Sequence, residues 1–433
     1  MNQFLDAFGI AKLSASSRAA FTLSILAAAV LTLSACSDSG NQNPTSAEVT
    51  TSDSQTGEEN ESTRFNAFLE QTFEDSVARS PISLTYLGRK ERMGEWDDNS
   101  AEFAEETLAL NKANLETLLT FDYQALDAPT QLSYDLMKQG LEEEIADHRW
   151  RLYNYPVNQM FGTHSSVPSL LINQHRVSTL ADAESYVARL DGLPAYFDQL
   201  ITNIKARTEI GIVPPKFVFP HVIRDSQNII TGAPFDDGAD SAIFSDFKSK
   251  ISALAAESDD GTAAQIDQAT HDRLLEAATQ ALTNSVQPAY QALIDHLTEL
   301  EKQATTDDGI WKWKDGAEYF DVALARTTTT NLTSEQIHQI GLDEVARIHN
   351  EMRAIKEKVG FEGDLAAFMQ HMRDSDDFYY ANDEAGKQRY LDEATALIET
   401  MKGRLDELFL TKPKADLHVK AVEPFREKSA GKA

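Results

Sequence analysis

The sequence predicts a mainly α-helical protein, folded as a large multi-helix bundle. Three stretches support this fold class, because each carries apolar residues at steps of three and four, the spacing that collects them on one side of a helix. The clearest stretch contains Tyr186, Leu190, Leu193, Phe197, Leu200 and Ile204.

The other two stretches carry their own start and break signals. Residues 275–297 keep the helical spacing but contain Pro288, which predicts a kink or a break because proline cannot donate the backbone hydrogen bond. The third stretch begins at Thr333, and Gln336 follows at the spacing of a capping box. Further helices are expected near residues 101–119, 131–151 and 387–410.

Length and charge limit the classes of function. The 433 residues are 42% hydrophobic, enough to bury a sizeable core as one large or two moderate domains. With 69 acidic against 39 basic side chains, the net charge is −30. Such a surface repels the phosphates of nucleic acid and of anionic lipid, so no nucleic-acid partner is expected.

The first 35 residues have the pattern of a bacterial lipoprotein signal peptide. An apolar run at residues 21–33, too short to span a bilayer, is followed by Ser34, Ala35 and Cys36, which is the only cysteine of the chain. This resembles a lipobox, in which the cysteine thiol is lipidated, and an ordinary cleaved secretory signal is the alternative. Several acyl chains on Cys36 would anchor the protein stably to a membrane.

The lipobox predicts the location and the domain boundaries. Ser37 stands where an aspartate would retain the lipoprotein in the inner membrane, so an outer-membrane anchor facing the periplasm is favoured. Residues 36–63 contain the lipidated cysteine and a polar segment. This segment has too few apolar side chains to bury for a stable fold, so a flexible tether is predicted. Residues 64–433 are the expected helical domain.

A short β element is expected near the C-terminus. Leu417, Val419 and Ala421 alternate with His418 and Lys420, which is the period of a strand. No comparably clear strand precedes it, so its pairing partner is missing, and a lone strand leaves its backbone hydrogen bonds unmade. This favours a sequence that has been cut short, so that the strand that would pair with this one is missing.

No catalytic or metal-binding residue can be assigned from motifs. The ten histidines include no His-Glu-x-x-His pair, and the single Glu335-x-x-His338 lacks the second copy that a di-iron site needs. The Ser245-x-x-Lys248 spacing is explained by chance in a polar stretch. Aromatic clusters at residues 153–164 and 378–380 indicate core packing or a groove lining. Substrate-binding residues stay unknown.

Several sequence segments of the folded region resemble one family of exported bacterial proteins. The family is domain-of-unknown-function family 885, whose members resemble gluzincin-type zinc metallopeptidases. The segments are PISLTYLG at residues 81–88, SYVARL at 185–190, GIVPPKF at 211–217, DGAEYF at 315–320 and, most specific, TTTTNLTSEQIHQIGLDEVARI at 327–348.

The resemblance implies a helical architecture around a deep channel. It also implies a zinc-binding His-Glu helix after the region that matches residues 417–424, and the chain ends before that helix. No catalytic or metal residue can therefore be carried over, and zinc is expected only if the chain continued.

Two hypotheses for the function follow. In the first, the protein is the N-terminal helical part of a lipid-anchored, periplasm-facing metallopeptidase-like protein. This part is expected to have no peptidase activity, because the zinc-binding motif is absent from it. In the second, it is a non-catalytic helical lipoprotein that binds a peptide or protein partner. The membrane, reached through lipidated Cys36, is a partner in both.

Overall fold

The structure is a computed structural model that describes residues 60–256 and 265–423. It is mainly helical, and the predicted multi-helix fold class is confirmed. The signal peptide at residues 1–35, Cys36 and the tether up to residue 59 lie outside the described residues. No helix in the described ranges is long and apolar enough to cross a membrane.

The described residues form two compact units, residues 60–314 and residues 315–423. The helices of the first unit are, in chain order, α1 (Glu61–Ala78), α2 (Pro81–Tyr86), α3 (Ala101–Leu118), α4 (Ala128–Asp147), α5 (Thr163–Asn173), α6 (Leu180–Glu209), α7 (Val218–Ile229), α8 (Ala242–Ala255), α9 (Gln268–Ala281) and α10 (Gln287–Glu301).

Helix α6 lies at the centre of the main core. It begins with a capping box in which Thr179 and Asp182 exchange side-chain to backbone hydrogen bonds. Helices α8, α9 and α10 contact it. Its predicted apolar side is buried as a whole, at Tyr186, Leu190, Leu193, Phe197, Leu200 and Ile204.

A smaller core joins the first helices of this unit. Phe65 of α1, which is fully buried, packs with Tyr134 and Leu141 of α4 and with Leu118 at the end of α3. The rings of Phe65 and Tyr134 are 5.6 Å apart between centroids. Ala128, the first residue of α4, follows Asp127, whose carboxylate accepts from the Thr130 amide and caps the helix.

The helix predicted to kink or break near Pro288 continues through a π-helical turn. Residues Leu282–Val286 form this turn, and α10 follows directly, with Pro288 in its first turn. Proline lacks an amide hydrogen and its ring crowds the carbonyl one turn earlier, so a widened turn before it keeps the chain helical. The turn is buried at Leu282 and Val286.

The second unit contains α11 (Gly316–Thr328), α12 (Ser334–Lys358), α13 (Leu365–Asp374) and α14 (Glu384–Lys402). The predicted capping box of Thr333 and Gln336 opens α12. The apolar side of α12 is not covered in the described structure, because Ile340, Val345 and Ile348 are 50%, 49% and 38% exposed.

The prediction of a strand at residues 417–422 is wrong. These residues have no regular secondary structure, and the described part of the chain offers them no β partner. The alternation of apolar and polar residues is a local signal, whereas a strand forms only when a neighbouring strand takes its backbone hydrogen bonds. The helix predicted at residues 387–410 also stops earlier, at Lys402.

Candidate functional site

A pocket of 620 Å³ opens on the surface of the first unit. It lies between the end of α1, the loop that follows α2, the start of α3 and the middle of α6. Its volume is within the range of small-molecule sites, roughly 300–1,000 Å³. Aromatic rings, guanidinium groups and carboxylates all line it, so this pocket is the candidate site.

Two glycines allow the loop to approach α6 closely. A Cβ atom on Gly192 of α6 would lie 3.3 Å from Trp96 Cδ1, and one on Gly94 would lie 3.1 Å from the Ala188 Cβ. Trp96 therefore lies against the helix, where its indole Nε1 donates to the Arg189 carbonyl oxygen at 2.8 Å. Its ring stacks on Tyr196, with centroids 5.0 Å apart.

Arg189 is fully buried behind Trp96 and ties the pocket to the core. Its guanidinium donates to the Thr85 hydroxyl at 2.6 Å and to the carbonyl oxygens of Pro81 and Glu95 at 3.3 and 3.1 Å. The Trp96 ring lies 5.4 Å from the Arg189 Cζ atom. Burial lowers the pKa of Arg189 to about 10, which leaves the group charged at neutral pH.

His175 completes the environment of Arg189. Its Nε2 lies 3.0 Å from the Asp182 carbonyl oxygen and its Nδ1 lies 3.2 Å from Arg189 Nη1. Since Arg189 can only donate, Nδ1 is the acceptor and the proton sits on Nε2. Burial lowers the pKa of His175 to about 4, and the nearby Arg189 charge adds to this effect.

The carboxylates of the pocket differ in how fully they are bound. Asp97 accepts from the Ser80 hydroxyl at 2.7 Å and from the Ile82 amide at 2.9 Å, so both of its oxygens hold the start of α2. Asp98 accepts through Oδ1 from the Ser100 amide at 2.8 Å and from Gln199 at 2.9 Å, and the Ser100 hydroxyl also helps to lower the pKa of its carboxyl.

Two arginines also line the pocket. Arg92 has a φ of 55°, a backbone conformation rare outside glycine, and it donates to the Ala78 carbonyl oxygen at 2.7 Å while pairing with Glu95 at 2.8 Å. Arg79 stacks on the Phe103 ring at 4.2 Å. Its contacts with Glu106 and Thr107 are longer, at 3.5 and 3.4 Å.

A second polar network lies deeper in the same unit and has a structural role. The Lys250 ammonium donates to the carbonyl oxygens of Leu171 and Ile172 at the end of α5, and to Asp246 at 2.8 Å. The Tyr186 hydroxyl donates to the same Asp246 carboxylate at 2.9 Å. This network joins α5, α6 and α8 without reaching the surface pocket.

The sequence-predicted candidates do not form one site. Glu335 and His338 lie on exposed positions of α12. Tyr153 and Tyr155 pack on Trp313, whereas Phe161 is exposed and His164 is buried. Cys36 lies outside the described residues. Nowhere in the described ranges are three His, Cys, Asp or Glu side chains arranged so that they could hold a metal ion.

Sequence reasoning missed the pocket because no motif marks it. Its two halves, residues 78–103 and residues 192–199, are separated by about a hundred positions in the chain. Two local signals existed: Gly192 within a strongly periodic helix, and the tryptophan in the acidic loop Glu95-Trp96-Asp97-Asp98. At Gly192 the absence of a side chain leaves room for Trp96.

The fold defines a mainly α-helical protein, and the comparison with protein families places it among bacterial proteins. The chain belongs to the family described as bacterial protein of unknown function (DUF885), whose profile matches residues 81–433. No curated protein matches the chain.

A solved structure has the same fold. It is the crystal structure of "the putative lipoprotein from Colwellia psychrerythraea", which matches with a TM-score of 0.73 at 20% sequence identity. The match covers 86% of this chain and 64% of that one, so this chain spans less than two thirds of the length of its structural relative. At this identity the likeness shows the fold alone.

Proposed function

We propose that this chain is a lipid-anchored protein of the cell envelope, and that its helices form the non-catalytic part of a larger fold resembling a zinc metallopeptidase. The observation that carries the proposal is the uncovered apolar side of α12, at Ile340, Val345 and Ile348. A helix with an apolar stripe is stable when further polypeptide packs on that stripe.

The comparisons support this proposal. The Colwellia relative is described as a lipoprotein, and about a third of its chain lies outside the match. Cys36 at the end of a lipobox pattern provides the anchor in this chain. Zinc is proposed only for a form of the protein that carries additional polypeptide with a His-Glu helix, where the metal would activate a water molecule.

Two measurements test the proposal. The genomic DNA that follows the codon for Ala433 is expected to encode a His-Glu-x-x-His-type helix within roughly a hundred codons, in one of the three forward frames. A stop codon with no such frame would exclude the metallopeptidase-like part. Mass spectrometry of the protein from membranes should show an acylated Cys36, and the Cys36→Ser variant, which cannot be acylated, should leave the membrane fraction.

The pocket beside Trp96 favours a second candidate function. An anchored, non-catalytic protein that binds a small ligand or a peptide needs a concave site with aromatic and charged groups, and this pocket supplies both. Separating the inner and outer membranes tests the expected outer-membrane location for either function.

A further inference from the structure

We propose that the pocket between α1 and α6 binds a small zwitterion, either a free α-amino acid or a short peptide with free ends, whose carboxylate contacts Arg79 and whose ammonium contacts Asp98. This inference deepens the second candidate function by naming the class of ligand.

Arg79 has donors to spare. A guanidinium has five N–H groups, and the two side-chain contacts of Arg79 are at the long limit of hydrogen bonding, 3.5 Å to Glu106 and 3.4 Å to Thr107. The Arg79 Cζ atom lies 4.2 Å from the centroid of the Phe103 ring, and this cation–π contact restrains the guanidinium. A fixed guanidinium with unused donors is suited to bind a carboxylate through two parallel hydrogen bonds.

Asp98 lines the same pocket as Trp96. The Ser100 amide lowers the pKa of the Asp98 carboxyl, and Arg79 contributes to this shift through its charge, so Asp98 is ionised at neutral pH. The hydrogen bonds from the Ser100 amide and from Gln199 both go to Oδ1, and the Ser100 hydroxyl also helps to lower the pKa of the carboxyl. Within the described ranges, no donor makes a well-aligned hydrogen bond to Oδ2. Oδ2 is therefore available to an ammonium group.

The two charges influence each other without forming an ion pair. Arg79 makes its ion-pair contact with Glu106, at 3.5 Å, and affects Asp98 only through space. A ligand that carries one charge of each sign can satisfy both groups at once. A ligand with a single charge would pair with only one of these two groups and leave the other unmatched.

The rings of Trp96 and Tyr196 provide an apolar surface in the same pocket. They stack nearly parallel, with an angle of 16° between their planes. Such a surface accommodates the apolar side chain of an amino acid and can also attract an ammonium group. The volume of 620 Å³ leaves room for more than one residue, so a dipeptide is the first probe.

Calorimetric titration of the full-length, detergent-solubilised protein tests the proposal. The probes are L-leucyl-L-leucine, its N-acetyl form, its C-terminal amide and free L-leucine. The dipeptide is expected to bind, and blocking either end should weaken binding about tenfold or more, since each block removes one charge-assisted contact. Equal binding of free leucine would identify an amino-acid site, and preference for the dipeptide a peptide site.

Variants assign the binding to the pocket. Arg79→Met and Asp98→Asn should each weaken dipeptide binding about tenfold or more. Arg64→Met is the matched control, because Arg64 lies on α1, which Arg79 directly follows, and its guanidinium lies 4.5 Å from the Phe121 ring but does not line the pocket. Circular dichroism verifies that each variant is folded.

Three results would overturn the proposal. The first is no heat of binding with any probe at about 10 mM, a concentration well above the useful range of a specific site. The others are blocked dipeptides that bind as well as the free one, and an effect of Arg79→Met on binding no larger than that of Arg64→Met. None of these results would alter the acylation of Cys36 or the reading frame after Ala433, so the first proposed function is tested separately.

Discussion

Arg189 carries its positive charge inside the protein, where its hydrogen bonds go to neutral acceptors: the Thr85 hydroxyl, two carbonyl oxygens and His175 Nδ1. These acceptors belong to α2, to the loop that carries Trp96 and to the residues before α6. A single side chain therefore holds three separate segments in place, and the position of Trp96 depends on it.

Replacing Arg189 should destabilise the first unit strongly. The Arg189→Met variant leaves buried acceptors without donors, and we expect the free energy of unfolding to fall by about 3 kcal/mol or more. Urea unfolding followed by circular dichroism measures the loss. Arg273→Met is the control, because Arg273 is 56% exposed and pairs with Glu184 on the surface, and it should change stability by less than about 0.5 kcal/mol. Equal effects would contradict the structural role of Arg189.

Buried histidines should make the protein less stable in mild acid. Burial lowers the pKa of both His164 and His175 to about 4, from an ordinary value of 6.5. Between these two pH values the unfolded chain binds protons that the folded protein does not, so stability is full above pH 6.5 and falls as the pH decreases toward 4.

The size of this effect can be measured by urea unfolding at pH 7 and pH 5. Each histidine should contribute a loss of about 2 kcal/mol over that interval, because one pKa unit corresponds to about 1.4 kcal/mol. His175→Gln, which keeps a hydrogen-bonding side chain without a titrating group, should reduce the slope. A stability that is unchanged or higher at pH 5 would contradict the assignment of neutral, buried imidazoles.

At the scale of elements, glycines determine how closely neighbouring segments pack. Gly192 lies within α6 and faces Trp96, whereas Gly140 lies within α4 and has no atom within 4 Å of the position of a Cβ. Both are glycines inside helices, so the intrinsic gain in helix propensity on replacement is the same for both. They form a matched pair in which only the tertiary contact differs.

Valine at these two positions should have opposite consequences. Gly192→Val forces the Trp96 ring away from α6, and we expect a loss of about 1–3 kcal/mol together with a change in tryptophan fluorescence. Gly140→Val should be neutral or slightly stabilising, because it meets no other group. Urea unfolding of the two variants measures the difference. A Gly192→Val protein as stable as the Gly140→Val protein would show that the close approach of the loop is not required.

The apolar side of α12 should contribute little to the stability of the described fold. Replacing Ile340, Val345 and Ile348 with glutamine is expected to change the unfolding free energy by less than about 0.5 kcal/mol each and to lower the binding of a hydrophobic dye. In contrast, Leu193→Ala, in the buried side of α6, should cost about 2–5 kcal/mol. A large loss in the triple variant would mean that these side chains are already buried.

At the scale of the whole molecule, the two units differ in how much they bury. Phe368 is the one large apolar side chain that is buried within the described residues 315–423, whereas the first unit contains an extended core. Stability follows buried apolar area. Scanning calorimetry of the full chain should therefore show two transitions, and the Phe368→Ala variant should shift only the lower one. A single transition would show that the two units unfold together.

The sequence predicted the helices better than it predicted what covers them. In α6 the periodic residues Tyr186 to Ile204 are all buried, because several other helices pack on that side. In α12 the capping box and the periodic stripe were equally clear, yet the stripe is exposed. Periodicity and caps are local properties, whereas burial depends on segments that are distant in the chain.

The pocket could not be predicted from the sequence, because its residues also come together through contacts between distant segments. Arg79 contacts Phe103 of α3, and Asp98 accepts a hydrogen bond from Gln199 of α6. Both contacts join residues that are far apart in the chain, and no local pattern predicts them. The strand predicted at residues 417–422 failed because an alternating pattern cannot supply its own partner.

The π-helical turn at residues 282–286 acts as a phase correction between two helices. In an α-helix one residue corresponds to a rotation of about 100°. The buried residues of α9 include Leu274, Ala278 and Ala281, and those of α10 include Leu293, Leu297 and Leu300. If an uninterrupted α-helix joined the two, the second set would be rotated about 100° away from the side occupied by the first. The one additional residue in the wide turn cancels this rotation, so two sequence patterns that are out of phase face the same core.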